Sequence, residues 1–340
     1  MNRHMLTISC NKPFDLSLAE RPVPVRRDGD VLVRIRRIGM CGTDFHIFSG
    51  NQPYLSYPRV MGHELSGEVL DADPGSPIRI GSTVTINPYL RCKTCHACRR
   101  DKPNCCMNIR VMGVHIDGGM AEYVTVPEEA IVDVEGLSFD QAAMVEFLAI
   151  GMHAVRRGAV TSADRVLVVG AGAIGVGVAL FAKMTGADVV VIDTNGGRLK
   201  RARSVCAGIK TTLADAEADA WLKEVTNGDF FDVVFDASGN AGAMQKGFAY
   251  VAHGGRYVLV SVVSKDITFS DPEFHKREMQ LIGSRNATKH DFQMVIDMIR
   301  DGAIPTDKLH THSLNAVDLP SQVPELLKTP DDLLKAIVTI

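Results

Sequence analysis

The ten residues Val166-Leu-Val-Val-Gly170-Ala-Gly172-Ala-Ile-Gly175 constrain this 340-residue chain more than any other segment. A short, wholly apolar run is too apolar for a half-exposed strand and reads as a strand buried on both faces. It passes directly into G-x-G-x-x-G. Gly170 permits the tight turn, Gly172 lets backbone approach a pyrophosphate, and Gly175 lets the following helix pack closely on the strand. Ala173 and Ile174 open that helix, whose free N–H groups and positive end face the phosphates. Val166 to Ala182 carries no charge, but it is shorter than the ~20 apolar residues a membrane span needs. Its glycines, and Arg165 and Lys183 beside it, mark a buried strand and helix. A second strand, DVVVID, ends at Asp193, about 20 residues on, where a carboxylate binds the adenosine ribose hydroxyls. That charge favours NAD over a cofactor bearing a 2′-phosphate. Arg198, five positions later, partly offsets it and leaves NADP open.

The same texture continues. Val189 to Ile192, Val233 to Phe235 and Val258 to Val260 are further buried-strand candidates, separated by helical stretches such as Arg198 to Cys206. Alternation of this kind implies α/β architecture with a doubly wound parallel sheet. The first third reads differently. Val31 to Ile38 alternates, Gly67 to Leu70 and Thr83 to Ile86 are short apolar runs, and prolines punctuate them, which suits an irregular β-rich domain. The expected organisation is a dinucleotide-binding domain at 152–288 inserted into a catalytic domain built from 1–151 and 289–340. The latter includes an amphipathic helix, Asp291 to Arg300, and the tail Lys335 to Ile340.

Cysteines supply the second chemical signal. Cys92, Cys95, Cys98 and Cys106 stand within fifteen positions of a large chain, which indicates a metal loop and not a secreted disulfide framework. Four thiolates close a tetrahedral zinc shell, so this site is expected to be structural. Cys105 competes with Cys106 for the fourth place. A dispersed set, Cys41-Gly-Thr43-Asp44-Phe-His46, then His63-Glu64, then Glu146, offers a thiolate, imidazole and carboxylates. Such a mixed set suits a catalytic zinc with an open position.

A formal net charge of −3 with no basic block gives no footprint for nucleic acid. Met1 to Phe14 has no apolar core of a secretory signal. The expectation is a soluble, cytoplasmic protein acting on a small molecule, without membrane or nucleic-acid partners.

GMCGTDFHIFSG (39–50), GHELSGEV (62–69), the cysteine loop, VEFLAIGMHAVRR (145–157) and VLVVGAGAIG (166–175) together resemble the zinc-containing medium-chain dehydrogenases, in their polyol branch. The resemblance spans the chain and implies a GroES-like catalytic domain beside a Rossmann domain. It implies that Cys41, His63 and Glu146 hold the catalytic zinc, with Glu64 an alternate ligand, and that Thr43 and His46 relay the proton. It makes Cys106 the fourth structural thiolate, giving two zinc ions per chain, and it implies a homodimer or homotetramer. Two positions depart from the family pattern: Asp101, where glycine is usual, and Phe147, where proline is usual. SYPRVMGHE (56–64), GVHIDGGMAEY (113–123) and FSDPEFHKREMQLIGSRNAT (269–288) resemble the sugar-acid dehydrogenases of the branch. The implied reaction is NAD-dependent oxidation of a secondary alcohol in an aldonate such as L-galactonate, with Arg285 and His115 as candidate substrate contacts. The alternatives are a sorbitol- or threonine-type dehydrogenase, or a non-catalytic nucleotide sensor on the same fold.

Overall fold

The computed structural model describes residues 4–52, 55–328 and 333–340. The first three residues of the N-terminal stretch therefore lie outside the described ones. The chain forms two compact units, Met1–Phe147 with Ala287–Ile340, and Leu148–Asn286.

In the second unit six strands make one parallel sheet. Its spatial order is Lys210–Leu213, Asp188–Asp193, Arg165–Val169, Phe231–Asp236, Val251–Leu259, Gln280–Gly283. Numbered along the chain this order is 3-2-1-4-5-6, the doubly wound Rossmann arrangement. Its direction reverses between Arg165–Val169 and Phe231–Asp236, where such sheets bind ligands at the carboxyl ends of their strands. The Val, Leu and Ile residues of the central strands Arg165–Val169, Asp188–Asp193 and Phe231–Asp236 are buried, as two covered faces require. The helix Ala173–Met184 follows the first strand directly.

The first unit is built on a largely antiparallel sheet. Along its main path the order is Ile131–Asp133, Thr83–Ile86, Glu64–Asp71, Asp30–Met40, Lys335–Thr339, His310–Asn315. Asp30–Met40 buries Val31, Val33 and Ile35, then Ile38 and Met40. The inward parity changes because the pairing with Glu64–Asp71 shifts between Ile35 and Arg37, and one extra residue turns the following side chains over. This register matters for the site. Gly39 pairs with Glu64 on one side, and Met40 pairs with Ala336 on the other. The C-terminal strand thus delivers Lys335 to the same end of the central strand as Glu64.

No helix among the described residues is long and apolar enough to cross a membrane.

Candidate active site

Cys41 stands at the amino end of the helix Gly42–Phe48. Asp44, fully buried, closes that end: its Oδ2 accepts the Cys41 N–H at 2.9 Å and its Oδ1 the Gly62 N–H at 3.2 Å. One carboxylate therefore ties the segment bearing Cys41 to the segment bearing His63 and Glu64. Burial pushes the Asp44 carboxyl above its usual range, against the pull of His63 and of these N–H groups.

The Cys41 thiol, the His63 ring and the Glu64 carboxylate bring donor atoms within 4.8 Å of one another, with His63 and Glu64 buried and Cys41 half-buried. Desolvation works against a charged His63, but Cys41, Asp44 and Glu146 outweigh it and hold the imidazole well above its ordinary value. The His63 Nδ1 is buried with no hydrogen-bond partner. Glu146 lies in the first turn of the helix Val145–Arg157 and is buried. Its Oε1 accepts the Tyr89 hydroxyl, while its Oε2 is buried without a partner. Burial pushes the Glu146 carboxyl up to about 7. Glu146 is not among the donors within 4.8 Å of one another, which are those of Cys41, His63 and Glu64; a thiol, an imidazole and a carboxylate gathered this closely are costly to bury unless something binds them. A divalent cation with N, O and S ligands meets that need, and zinc accepts this set.

Glu64 is not orphaned. Lys335 Nζ reaches both of its carboxylate oxygens, each at 2.7 Å, and the Met40 carbonyl at 3.1 Å. Gly39 makes room for this pair, because a Cβ there would sit 2.1 Å from Glu64 Oε2. Thr43 and His46, three apart on the short helix, share a face; Thr43 is half-buried and His46 exposed. The Nδ1 of His115 accepts the Val111 N–H at 3.1 Å, which engages that ring atom in its own turn.

In the cysteine loop, Cys92, Cys95, Cys98 and Cys106 place their sulfurs within 4.8 Å of one another, while Cys105 is exposed. Backbone N–H groups point at three of these sulfurs: Cys92 to Cys106, Cys95 to Cys92 and Met107 to Cys95, at 3.3 to 3.4 Å. Such bonds favour thiolate, and they pull the Cys92 thiol down to about 5. The donor set is that of a closed zinc site. Asp101 adopts φ +53°, the left-handed conformation that glycine takes most easily.

In the second unit Gly170 has φ +101°, and a Cβ on Gly175 would lie 1.9 Å from the Gly170 carbonyl oxygen. Gly172 has open space where its Cβ would be, so a phosphate can reach the backbone at the head of the helix containing Ala173 and Ile174. Asp193 is buried at the end of its strand. Its Oδ2 accepts the Ala171 N–H at 2.7 Å and its Oδ1 the Asn195 N–H at 2.8 Å. Asn195 in turn caps the next helix by accepting the Arg198 N–H at 3.0 Å. Arg285 is exposed, just beyond the edge strand Gln280–Gly283.

Three residues of these sites carried no assignment from the sequence. Asp44 stands three positions after Cys41, the spacing of a residue that closes a helix end. Lys335 is the one charge in the tail KAIVTI. Tyr89 has no signal in the linear pattern.

The fold and the two donor sets define a zinc-type alcohol dehydrogenase, and comparison with known proteins agrees. Residues 27–136 match the alcohol dehydrogenase GroES-like domain, and residues 173–301 match the zinc-binding dehydrogenase domain. The chain belongs to the zinc-type medium-chain dehydrogenases, in the branch that holds polyol and sugar-acid dehydrogenases. It is 39% identical over 339 residues to L-galactonate-5-dehydrogenase of Escherichia coli K12, covering 98% of this chain and 99% of the relative. It is 32% identical over 322 residues to the starvation-sensing protein RspB of the same strain, covering 92% of each. The crystal structure of the alcohol dehydrogenase RspB of E. coli CFT073 with NADH superposes with a TM-score of 0.92 at 28% identity, over 99% of both chains.

Proposed function

We propose that this dehydrogenase oxidises a secondary hydroxyl of a sugar acid, an aldonate of the L-galactonate type, and that NAD accepts the hydride. The observation that carries the chemistry is the cluster of Cys41, His63 and Glu64, whose donor atoms lie within 4.8 Å of one another with His63 and Glu64 buried. The substrate class rests on the 39% identity to an L-galactonate-5-dehydrogenase across nearly the whole chain.

Cys41, His63 and Glu146 are the residues that would hold the catalytic zinc, with Glu64 as an alternate donor. Cys92, Cys95, Cys98 and Cys106 would hold the structural one. Zinc, when bound, supplies Lewis acidity that favours the alkoxide form of an alcohol, and the nicotinamide ring takes the hydride. The protein's own groups handle position and the proton. Thr43 accepts the alcohol proton by hydrogen bond, and His46, exposed to water, is the outer base of the relay. Gly170, Gly172, Ala173, Ile174 and Gly175 receive the pyrophosphate. Asp193 receives the ribose hydroxyls and sets the preference for NAD, and Arg198 lies close in sequence to that end of the cofactor. Arg285 holds the substrate carboxylate, since a planar guanidinium can make two charge-assisted bonds to it. His115 is a weaker candidate for a substrate contact, with one ring nitrogen already engaged.

Initial rates of NADH formation with L-galactonate, sorbitol and threonine test this reading, on the wild type and on Arg285→Ala. L-Galactonate should turn over fastest, and Arg285→Ala should raise its KM far more than that of sorbitol. Faster turnover of sorbitol by the wild type would move the enzyme to the neutral polyols.

A further inference from the structure

A doubly wound sheet consists of two mononucleotide halves, and a dinucleotide lies across the crevice between them. The first half carries the Gly170 turn and Asp193, the groups proposed for the pyrophosphate and the adenosine ribose. The strands Phe231–Asp236 and Val251–Leu259 belong to the second half, and a polar network stands at their carboxyl ends. Asp236 ends its strand and is fully buried. A buried carboxylate is tolerated only where hydrogen bonds replace its water. Its Oδ1 accepts the Ser238 N–H at 3.1 Å and the Ser261 hydroxyl at 2.8 Å, and the Ser238 hydroxyl is shared between Oδ1 and Oδ2 at 3.0 Å each. Both hydroxyls pass the constraint on. Ser238 Oγ accepts the Asn240 N–H at 3.1 Å, and Ser261 Oγ accepts the Gly239 N–H at 3.0 Å. One carboxylate thus fixes the turn from Ala237 to Asn240 from two sides.

That turn packs directly on the glycine turn of the first half. The Ala237 N–H donates to the Val169 carbonyl at 2.8 Å. A Cβ on Gly170 would lie 2.8 Å from the Ala237 carbonyl oxygen and 3.0 Å from Ser238 Cα. We infer that Asp236 is a positioning residue: through Ser238 and Ser261 it sets the turn from Ala237 to Asn240 as the wall that receives the nicotinamide half of the dinucleotide. This rests on the reading of the second unit as the NAD site, and it involves neither the zinc ligands nor the choice of substrate. A wall set before binding spares the complex the cost of ordering it. Asp193 is held by separate bonds, from Ala171 and Asn195, so loosening the network should cost the nicotinamide half and spare the adenosine half.

Titration of the intact enzyme with NADH, followed by the fluorescence of the bound nucleotide, gives its Kd without turnover. Displacement of that NADH by AMP gives the Kd of the adenosine half alone. Ser261→Ala removes one hydroxyl and releases the Gly239 N–H, while Asp236→Asn keeps the shape and removes the charge. Each should raise the Kd for NADH about tenfold and leave the Kd for AMP within about twofold of the wild type. Ser261→Thr keeps the hydroxyl and should bind both ligands as the wild type does. Thermal unfolding identifies the folded variants, and where Asp236→Asn does not fold, Ser261→Ala decides. Wild-type affinity for NADH in folded Ser261→Ala, or equal losses for NADH and AMP, would overturn the positioning role. A wild type that binds AMP and no NADH, or neither, would overturn the dinucleotide reading and this role with it.

Discussion

Tyr89 donates its hydroxyl to Oε1 of Glu146 and so leaves only Oε2 for a metal. If Glu146 ligates the metal as proposed, the phenol makes it a one-oxygen ligand. Outer partners of this kind typically govern about 10–100-fold in metal affinity. Tyr89→Phe keeps the ring, which packs edge-on against Phe292 with centroids 6.5 Å apart. Zinc competition with a chromophoric chelator should therefore show an affinity loss in that range at the catalytic site. Folding stability should fall by about 1–3 kcal/mol, because the buried Glu146 Oε1 loses its donor. Unchanged zinc affinity would remove Tyr89 from the metal's support.

The two zinc sites should part under mutation. Cys41→Ser should lower zinc to about one ion per chain and abolish turnover while leaving the thermal transition in place, because an open site is not a structural clamp. Cys95→Ser should also lose one zinc, but should lower the transition and expose the loop from Cys92 to Cys106 to protease. Elemental analysis and limited proteolysis read the difference. Within that loop, Asp101→Gly should stabilise by up to about 1 kcal/mol, since it relieves an L-residue held at positive φ.

Asp193 accepts two backbone N–H groups and is proposed to face the cofactor ribose, and its variants should report on both. Asp193→Ser should narrow the preference for NAD over NADP in kcat/KM by removing a carboxylate from the ribose end. It should also destabilise the protein by about 1.5–3 kcal/mol, because the Ala171 and Asn195 N–H groups lose a charged acceptor. A wild-type preference for NADP would contradict this reading of Asp193.

Alkaline pH should weaken the fold through two thiols outside the metal sites. Burial pushes Cys10 up to about 11, helped by Asp15, and pushes Cys206 up to about 12, from an ordinary value of 9.0. Between pH 9 and these values the unfolded thiols lose protons that the folded ones keep, so stability falls as pH rises there. Below pH 9 both thiols are protonated in either state and contribute no slope. Cys10→Ala/Cys206→Ala should flatten the decline in Tm between pH 9 and 11. At pH 8, iodoacetamide should label Cys105, which is exposed, long before Cys10 or Cys206.

Much of this architecture was legible because its signals are local. Val166–Gly175 is a strand, a turn and a helix start in ten consecutive residues, and the four-thiolate loop is contained in fifteen. The edge strands Lys210–Leu213 and Gln280–Gly283 were not legible, because half-exposed edges have no continuous apolar run to announce them. Val260 reads as strand, but Val251–Leu259 ends before it, where the Val260 N–H turns to the Asp236 carbonyl. In the site, the ligand-type residues carried recognisable motifs, whereas their supports did not. Lys335 meets Glu64 across 271 positions, through a register between three strands that no linear pattern encodes. Tyr89 reaches Glu146 across 57 for the same reason.

Metal dependence of turnover is the most direct test of the chemistry. The enzyme should be assayed with L-galactonate and NAD as isolated, after removal of the weaker-held zinc, and after zinc is restored, with circular dichroism confirming the fold each time. NADH formation should vanish when zinc falls from two ions per chain to one, and it should return with the second ion. Full turnover by a folded protein lacking that second zinc would contradict the assignment of Cys41, His63 and Glu146.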